Sequence, residues 1–186
     1  GIPTDLSGKV LNGSQTPISG LYAIGECAAA SFHGFNRLGT NSILELITMG
    51  KFIGESVLEF LKETPQKPAE ASAVDTFNLF SGYLQGRGSD SMGQIRDAMR
   101  TLMTARVGVF RTETGISEAI DSLKELKDRA QKVALSNKSL AMNQELVQRW
   151  ELDNLLAVSM VIARAALERR ESRGAHFRVD FPERRD

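Results

Sequence analysis

The chain has 186 residues, 41% of them hydrophobic, enough apolar material for one domain or two small ones. Its 23 Lys and Arg balance its 23 Asp and Glu, which argues against nucleic acid as a partner, and a single cysteine excludes an internal disulfide framework and fits a reducing compartment. No apolar run approaches the roughly 20 residues of a membrane span and no signal peptide opens the chain, so any membrane link has to come through a partner.

The opening "GIPTD" lacks a Met and reads as the middle of a longer chain, so further motifs are expected upstream. Residues 1–25 are rich in Gly, Pro, Ser and Thr, with "KVL", "TPI" and "LYAI" predicted as short strands between turns. From Asn41 to about Lys62 apolar residues recur at helical spacing. Asn41 or Ser42 is the expected N-cap, with Glu45 three residues after Ser42 closing a capping box. Residues 65–90 read as a proline-containing linker with one short helix, ending in the breaker "QGRGSDS". Three amphipathic runs follow, at about 91–108, 115–134 and 142–170. Their inward stripes are expected at Ile95, Met99, Leu102, Met103 and Val107; at Ile116, Ile120, Leu123, Leu126 and Ala130; and at Leu146, Trp150, Leu152, Leu155, Val158, Val161, Ile162 and Leu167. Short-looped helices of this kind bury their stripes as an antiparallel bundle. The tail, 171–186, is expected to leave the helix at Gly174 and ends in dense charge.

The stretch "HGFNRLGTNS" at 33–42 stands out, with an arginine between glycines directly before a helix start. A helix N-terminus presents unpaired N–H groups and the positive end of the dipole, and nearby glycines let a ligand approach the backbone. Arg37 adds a planar, permanently charged fork suited to a carboxylate or phosphate. These features describe an anion site; they equally fit an ordinary capped loop with a surface arginine.

The stretch "GLYAIGECAAASFHGFNRLGTNSILEL", together with "GIPTD", "VFRTETG", "WELDNLL" and "RRESRGAHFRVDFPERRD", closely resembles the C-terminal part of the flavoprotein subunit of succinate dehydrogenase and fumarate reductase. The resemblance implies an α+β fragment, mainly α. Residues 1–64 would be the terminal strand–loop–helix segment of an FAD-binding domain, and 91–170 an antiparallel three-helix bundle. It implies hydride transfer between FAD and a dicarboxylate, with electrons passing through an iron–sulfur subunit to quinone. It implies a peripheral subunit on the cytoplasmic face of the inner membrane, reaching a membrane anchor subunit indirectly. In that family Glu26 would hydrogen-bond the sugar-alcohol chain of FAD, and Arg37 would hold a substrate carboxylate. Ser42 and Ile43, with Asn41 at the same helix start, would contact the flavin, and His33 the substrate or the flavin. The phosphate-cradling glycine motif, the histidine that can attach FAD and the proton-donating arginine belong upstream. No catalytic residue is therefore expected here, and the chain alone is expected neither to retain FAD nor to turn over. Phe35, where alanine is more common, resembles fumarate reductases that work with a dihaem anchor.

L-aspartate oxidase is similar in its C-terminal region, including an "ESRG" tail, but "NRLG", "ELDNLL" and "DFPERRD" favour the dehydrogenase type. A different reading makes residues 90–170 a helical docking module without chemistry of its own. Cys27 has no second Cys or His to suggest a metal and is expected as a small buried residue. His176 is expected to be structural, packing the tail on the flavin domain. Trp150 and the methionines are expected in the core. Arg164, Arg169, Arg170 and Arg173 form either a docking surface or a solvated face.

Overall fold

The computed structural model describes residues 1–33, 37–65 and 72–185. The predicted features at Phe35 and Asn36, and the linker stretch 66–71, lie outside the described residues. The chain divides into two compact units, residues 1–68 and 69–186, and it is mainly helical with a few short strands.

In the first unit, β1 (Ile2–Pro3) pairs in parallel with β4 (Ala28–Ala29), and β2 (Lys9–Leu11) pairs antiparallel with β3 (Pro17–Tyr22). The sequence "PISGLY" thus becomes one strand where two pieces were predicted. The turn between β2 and β3 closes because Asn12 Oδ1 accepts from the amides of Ser14 and Thr16 at 2.9 and 3.0 Å. A 3-10 turn at Gly25–Cys27 then packs on α1 (Asn41–Glu63). Gly25 has φ +70°, and a Cβ there would run into Leu46 of α1, so glycine is what lets this turn and the helix meet. The turn keeps Gly25 inside and faces Glu26 and Cys27 outward. Cys27 is therefore exposed rather than buried, its Sγ donating to Ile24 O at 3.2 Å.

The start of α1 differs from its prediction. The N-cap is Thr40, in the left-handed region at φ +69°, and no side chain caps it. Neither Asn41 nor Ser42 serves as cap, because both are already helical, and Glu45 is engaged by His33 instead of closing a capping box. A non-glycine residue held at positive φ stores about 1–2 kcal/mol.

In the second unit, α2 (Ser72–Leu84) packs on α5 (Gln144–Glu168), while α3 (Met92–Arg106), α4 (Glu113–Lys132) and α5 pack on one another. Their meeting faces enclose Ile95, Met99, Ile116, Ala119, Leu123, Leu126, Ala130, Leu152 and Ala163. Each large aliphatic side chain so buried contributes about 1.5–3 kcal/mol. Helix starts are well specified: Ser91 and Gln94 form a reciprocal capping box, Thr112 Oγ1 accepts from Gly115 N at 3.1 Å, and Asn143 Oδ1 accepts from Leu146 N at 3.1 Å. Tyr83 of α2 donates to Asp153 Oδ2 at 2.6 Å beneath the buried Arg149, whose guanidinium lies 4.5 Å from the Tyr83 ring.

The inward stripe of α5 is the predicted one only in part, at Leu146, Leu152 and the partly buried Leu167. Its buried residues are Leu146, Arg149, Leu152, Leu156, Ser159, Ala163 and Ala166. Trp150, Leu155, Val158, Val161 and Ile162 are exposed, Trp150 at 45% and Val161 at 66%, against 0% for Leu152. From Leu155 onward the helix is apolar on most sides, so periodicity alone did not choose a face there, and the small Ser159, Ala163 and Ala166 are the residues turned inward. The methionines also divide, Met99 being buried and Met142 fully exposed.

The chain leaves α5 at Glu168, earlier than Gly174, which at φ +60° turns the tail back instead. There β6 (Phe177–Arg178) pairs in parallel with β5 (Phe110–Arg111). Arg178 is wholly buried: its Nη1 donates to the carbonyls of Ala166, Leu167 and Arg169 at 2.9–3.3 Å, and its Nε and Nη2 grip Asp180 at 2.8 and 2.9 Å. Asp180 also accepts from the Glu113 amide at 2.7 Å, so one ion pair closes the end of α5 and the start of α4. His176 accepts at Nδ1 from Arg111 (2.7 Å) and donates from Nε2 to Arg169 O (3.1 Å). Burial, with the nearby arginines, lowers its pKa and keeps it neutral. Its hydrogen bonds run within the helical unit, in keeping with a structural role. Arg169 and Arg173 pair with Glu171, and Arg170 with Glu113, so three of the four clustered arginines are spent on the unit itself.

Candidate functional site

Every predicted site residue belongs to the first unit, on the 3-10 turn, the segment after β4, or the first turn of α1. Glu26 is exposed on the turn, where Gly25 packs on α1 and pushes it outward. Arg37, also partly exposed, donates from Nη1 to Glu26 Oε1. The residue predicted for the cofactor chain and the one predicted for a carboxylate are therefore neighbours in space, although 11 residues separate them in sequence.

His33 is placed by a different tie. Its Nε2 lies 2.7 Å from Glu45 Oε2 on the second turn of α1, with side-chain exposures of 26% and 13%. Since a carboxylate only accepts, Nε2 carries the proton. The ring of Phe32 stands beside it, centroids 6.3 Å apart. Sequence reasoning gave Glu45 a capping role and missed this one. No local signal announces a partner 12 residues upstream, and the acidic residue in the first helical turns was explained too cheaply by the capping box.

At the helix start, Asn41 and Ser42 are half-buried and Ile43 is exposed. The Ile43 amide is taken by Thr40 O at 3.1 Å. The Ser42 hydroxyl oxygen is buried with no hydrogen-bond partner. A buried hydroxyl left unsatisfied costs about 1–3 kcal/mol, and with the strained Thr40 beside it this helix start holds stored cost of the kind found at ligand sites. The positive end of the 23-residue α1 points the same way. An exposed carboxylate, an arginine fork, an orphaned hydroxyl and a helix N-terminus within one short stretch fit an anionic, hydrogen-bonding ligand. Among the described residues no group of three or more His, Cys, Asp or Glu is arranged to hold a metal ion, nor is any helix long and apolar enough to cross a membrane.

Comparison with known proteins gives the family. Residues 1–43 match the family described as FAD binding domain, and residues 96–186 the family described as fumarate reductase flavoprotein C-term. The fumarate reductase flavoprotein subunit of Haemophilus influenzae is 38% identical over 93% of this chain and 29% of its own length. The succinate dehydrogenase flavoprotein subunit of Coxiella burnetii is 38% identical over 100% of the chain and 33% of its own length. This chain belongs to the family of succinate dehydrogenase and fumarate reductase flavoprotein subunits. Its fold agrees: a solved E. coli quinol fumarate reductase superposes with a TM-score of 0.87 at 35% identity, over 100% of this chain and 32% of that one. The chain thus spans about a third of the length of these flavoproteins. Glu26, His33, Arg37, Asn41, Ser42 and Ile43 all fall inside the FAD-binding match, and Glu45 lies two residues beyond its end.

Proposed function

We propose that this chain forms part of an FAD-dependent oxidoreductase that interconverts succinate and fumarate. The observation carrying this reading is the contact of Arg37 with Glu26 beside the N-terminus of α1. When bound, FAD supplies the hydride chemistry. The Glu26 carboxylate accepts from the hydroxyls of its sugar-alcohol chain. Asn41, Ser42 and Ile43 line the ring, and the orphaned Ser42 hydroxyl gains a partner there. The dipole of α1 favours negative charge developing on that ring. Arg37 has five N–H donors, enough to clamp a dicarboxylate end while standing next to Glu26. His33 lines the substrate side. The proton donor and the remaining substrate contacts are assigned to other parts of the flavoprotein, so the chain alone is inactive; stoichiometric FAD in a preparation of it would overturn that.

The partners proposed with this activity are an iron–sulfur subunit that takes the electrons to quinone and, through it, a membrane anchor subunit. The flavoprotein then sits peripherally on the cytoplasmic face of the inner membrane. The helical unit packs its own core and presents Trp150, Val158 and Val161 outward, which supports a docking role for it within the same enzyme.

The test is a titration of succinate, fumarate and aspartate against flavin absorbance in the flavoprotein carrying this chain. Succinate is expected to bleach the flavin and fumarate to restore it, and Arg37→Ala to lower kcat/KM at least about 100-fold, as loss of a substrate-orienting clamp does. Bleaching by aspartate alone moves the protein to L-aspartate oxidase, and unaltered turnover in Arg37→Ala removes the site assignment.

A further inference from the structure

We propose that Asn12 is a site of spontaneous modification, at which the Gly13 amide displaces the Asn12 side-chain nitrogen and leaves aspartate and isoaspartate in the turn between β2 and β3. The fold of this turn arranges each group that the reaction uses.

The carbonyl comes first. Asn12 Oδ1 accepts from the amides of Ser14 and Thr16 at 2.9 and 3.0 Å. Backbone donors converging on one carboxamide oxygen favour negative charge there, as they do wherever an oxyanion forms. Since the atom that accepts from N–H groups is the oxygen, Nδ2 is the other end of the carboxamide. That nitrogen, the leaving group, has no hydrogen-bond partner among the described residues, and Asn12 is exposed. The nucleophile is equally free. The Gly13 amide donates to no acceptor among the described residues, and a Cβ built on Gly13 would meet nothing within 4 Å. Hydroxide from solvent therefore has open access to its proton.

The backbone holds these groups together. Asn12 N donates to Thr16 O at 2.9 Å and Gln15 N donates to Asn12 O at 3.0 Å, while Gln15 stands in the left-handed region at φ +60°. The Asn12 side chain is thus folded over the turn, and attack by its own neighbour is intramolecular.

Hydroxide takes the Gly13 proton. The nitrogen lone pair forms a bond to Asn12 Cγ, and the carbonyl pair moves onto Oδ1 beneath its donors. Return of that pair breaks the Cγ–Nδ2 bond, and ammonia leaves with a proton from water, closing a cyclic imide. One water then opens the imide at either carbonyl. Cleavage of the new N–Cγ bond restores the main chain with aspartate at position 12. Cleavage of the original peptide bond leaves the main chain running through the side chain, as isoaspartate. Either product adds a negative charge, and isoaspartate lengthens the chain by one carbon between Leu11 and Pro17, which pair across the two strands. The hairpin is thereby marked with its age.

The test uses the FAD-loaded flavoprotein carrying this chain, incubated at mildly alkaline pH in water enriched in heavy oxygen. Peptides spanning Asn12 are followed by mass spectrometry that separates aspartate from isoaspartate. Both products are expected, each carrying heavy oxygen, and formed about tenfold faster than in the same chain unfolded in urea. Gly13→Ala has room for its methyl and is expected to slow the reaction about tenfold with melting temperature unchanged. Conversion no faster in the folded protein than in urea overturns the proposal, since the turn then shields Asn12 instead of activating it. Aspartate without isoaspartate overturns it too, because direct hydrolysis never involves Gly13. So does Gly13→Ala converting at the wild-type rate. Should Gly13→Ala not accumulate, the folded-against-unfolded rates and the presence of isoaspartate decide the matter in the wild-type protein.

Discussion

The two units spend their apolar residues differently. In the helical unit α3, α4 and α5 turn Ile95, Ile116, Leu123 and Leu152 on one another and cover them completely. In the first unit α1 buries Ile53 and leaves Ile43, Leu44, Ile47, Phe52 and Leu58 in the open. The polar residues divide less cleanly. The start of α1 holds Thr40 at positive φ and the Ser42 hydroxyl unsatisfied, while the helical unit answers its buried Arg149 with Asp153 and its buried Arg178 with Asp180 but leaves Arg96 Nε without a partner and Met142 at positive φ. If the proposed site stands, substitutions in the two units should be felt in different measurements.

The sharpest way to break that contrast is at Arg178. Replacing it by Ala leaves Asp180 without its cation and removes the guanidinium from the Ala166 and Leu167 carbonyls at the end of α5, while Arg169 O keeps its bond from His176. The expected loss is about 3–5 kcal/mol, read from the urea midpoint, with no effect on flavin or substrate contacts. A loss below about 1 kcal/mol would show that the tail is an ornament on the helical unit. A second comparison lies within α5. Leu152→Ala should cost about 2–5 kcal/mol by opening a cavity, while Val161→Ala, one of the residues on the exposed side, should stay within about 0.5 kcal/mol. Equal effects would mean that the outer face is covered in solution.

The smallest effect concerns pH. Asp180, ordinarily near 3.8, is held well below the usual carboxylate range, first by its hydrogen bonds from Arg178. Because the folded value is depressed, its contribution is fully present above about pH 4 and is lost as pH falls further. A thermal melt series between about pH 5 and pH 2 should steepen downward for wild type and be flatter for Asp180→Asn.

Much of this was legible in the sequence. Helix positions were, because Ile116, Ile120, Leu123 and Leu126 keep one strict face, and α1 runs from Asn41 as its spacing predicted. The family was legible by resemblance, since "GLYAIGECAAASFHGFNRLGTNSILEL" points to the one the chain belongs to. Other features were not legible. The inner face of α5 depended on which side chains are small enough at Ser159, Ala163 and Ala166, a property of the neighbouring helices. The pairing of His33 with Glu45 and of Arg37 with Glu26 spans 12 and 11 residues across irregular chain, beyond any periodic signal. Arg178 looked like one more charge in a basic tail, and only the location of the α5 carbonyls gives it a purpose.

That arginine also orders events in time. When synthesis has passed Glu168 every helix of the unit has been made, but the group that seals the last of them has not. Until residues 178 and 180 arrive, the end of α5 offers open carbonyls and the first amide of α4 lacks its acceptor, so a nascent chain halted before them frays at both helix ends. The tail therefore acts as a late keystone, making an interrupted product easier for a protease to recognise than a finished one.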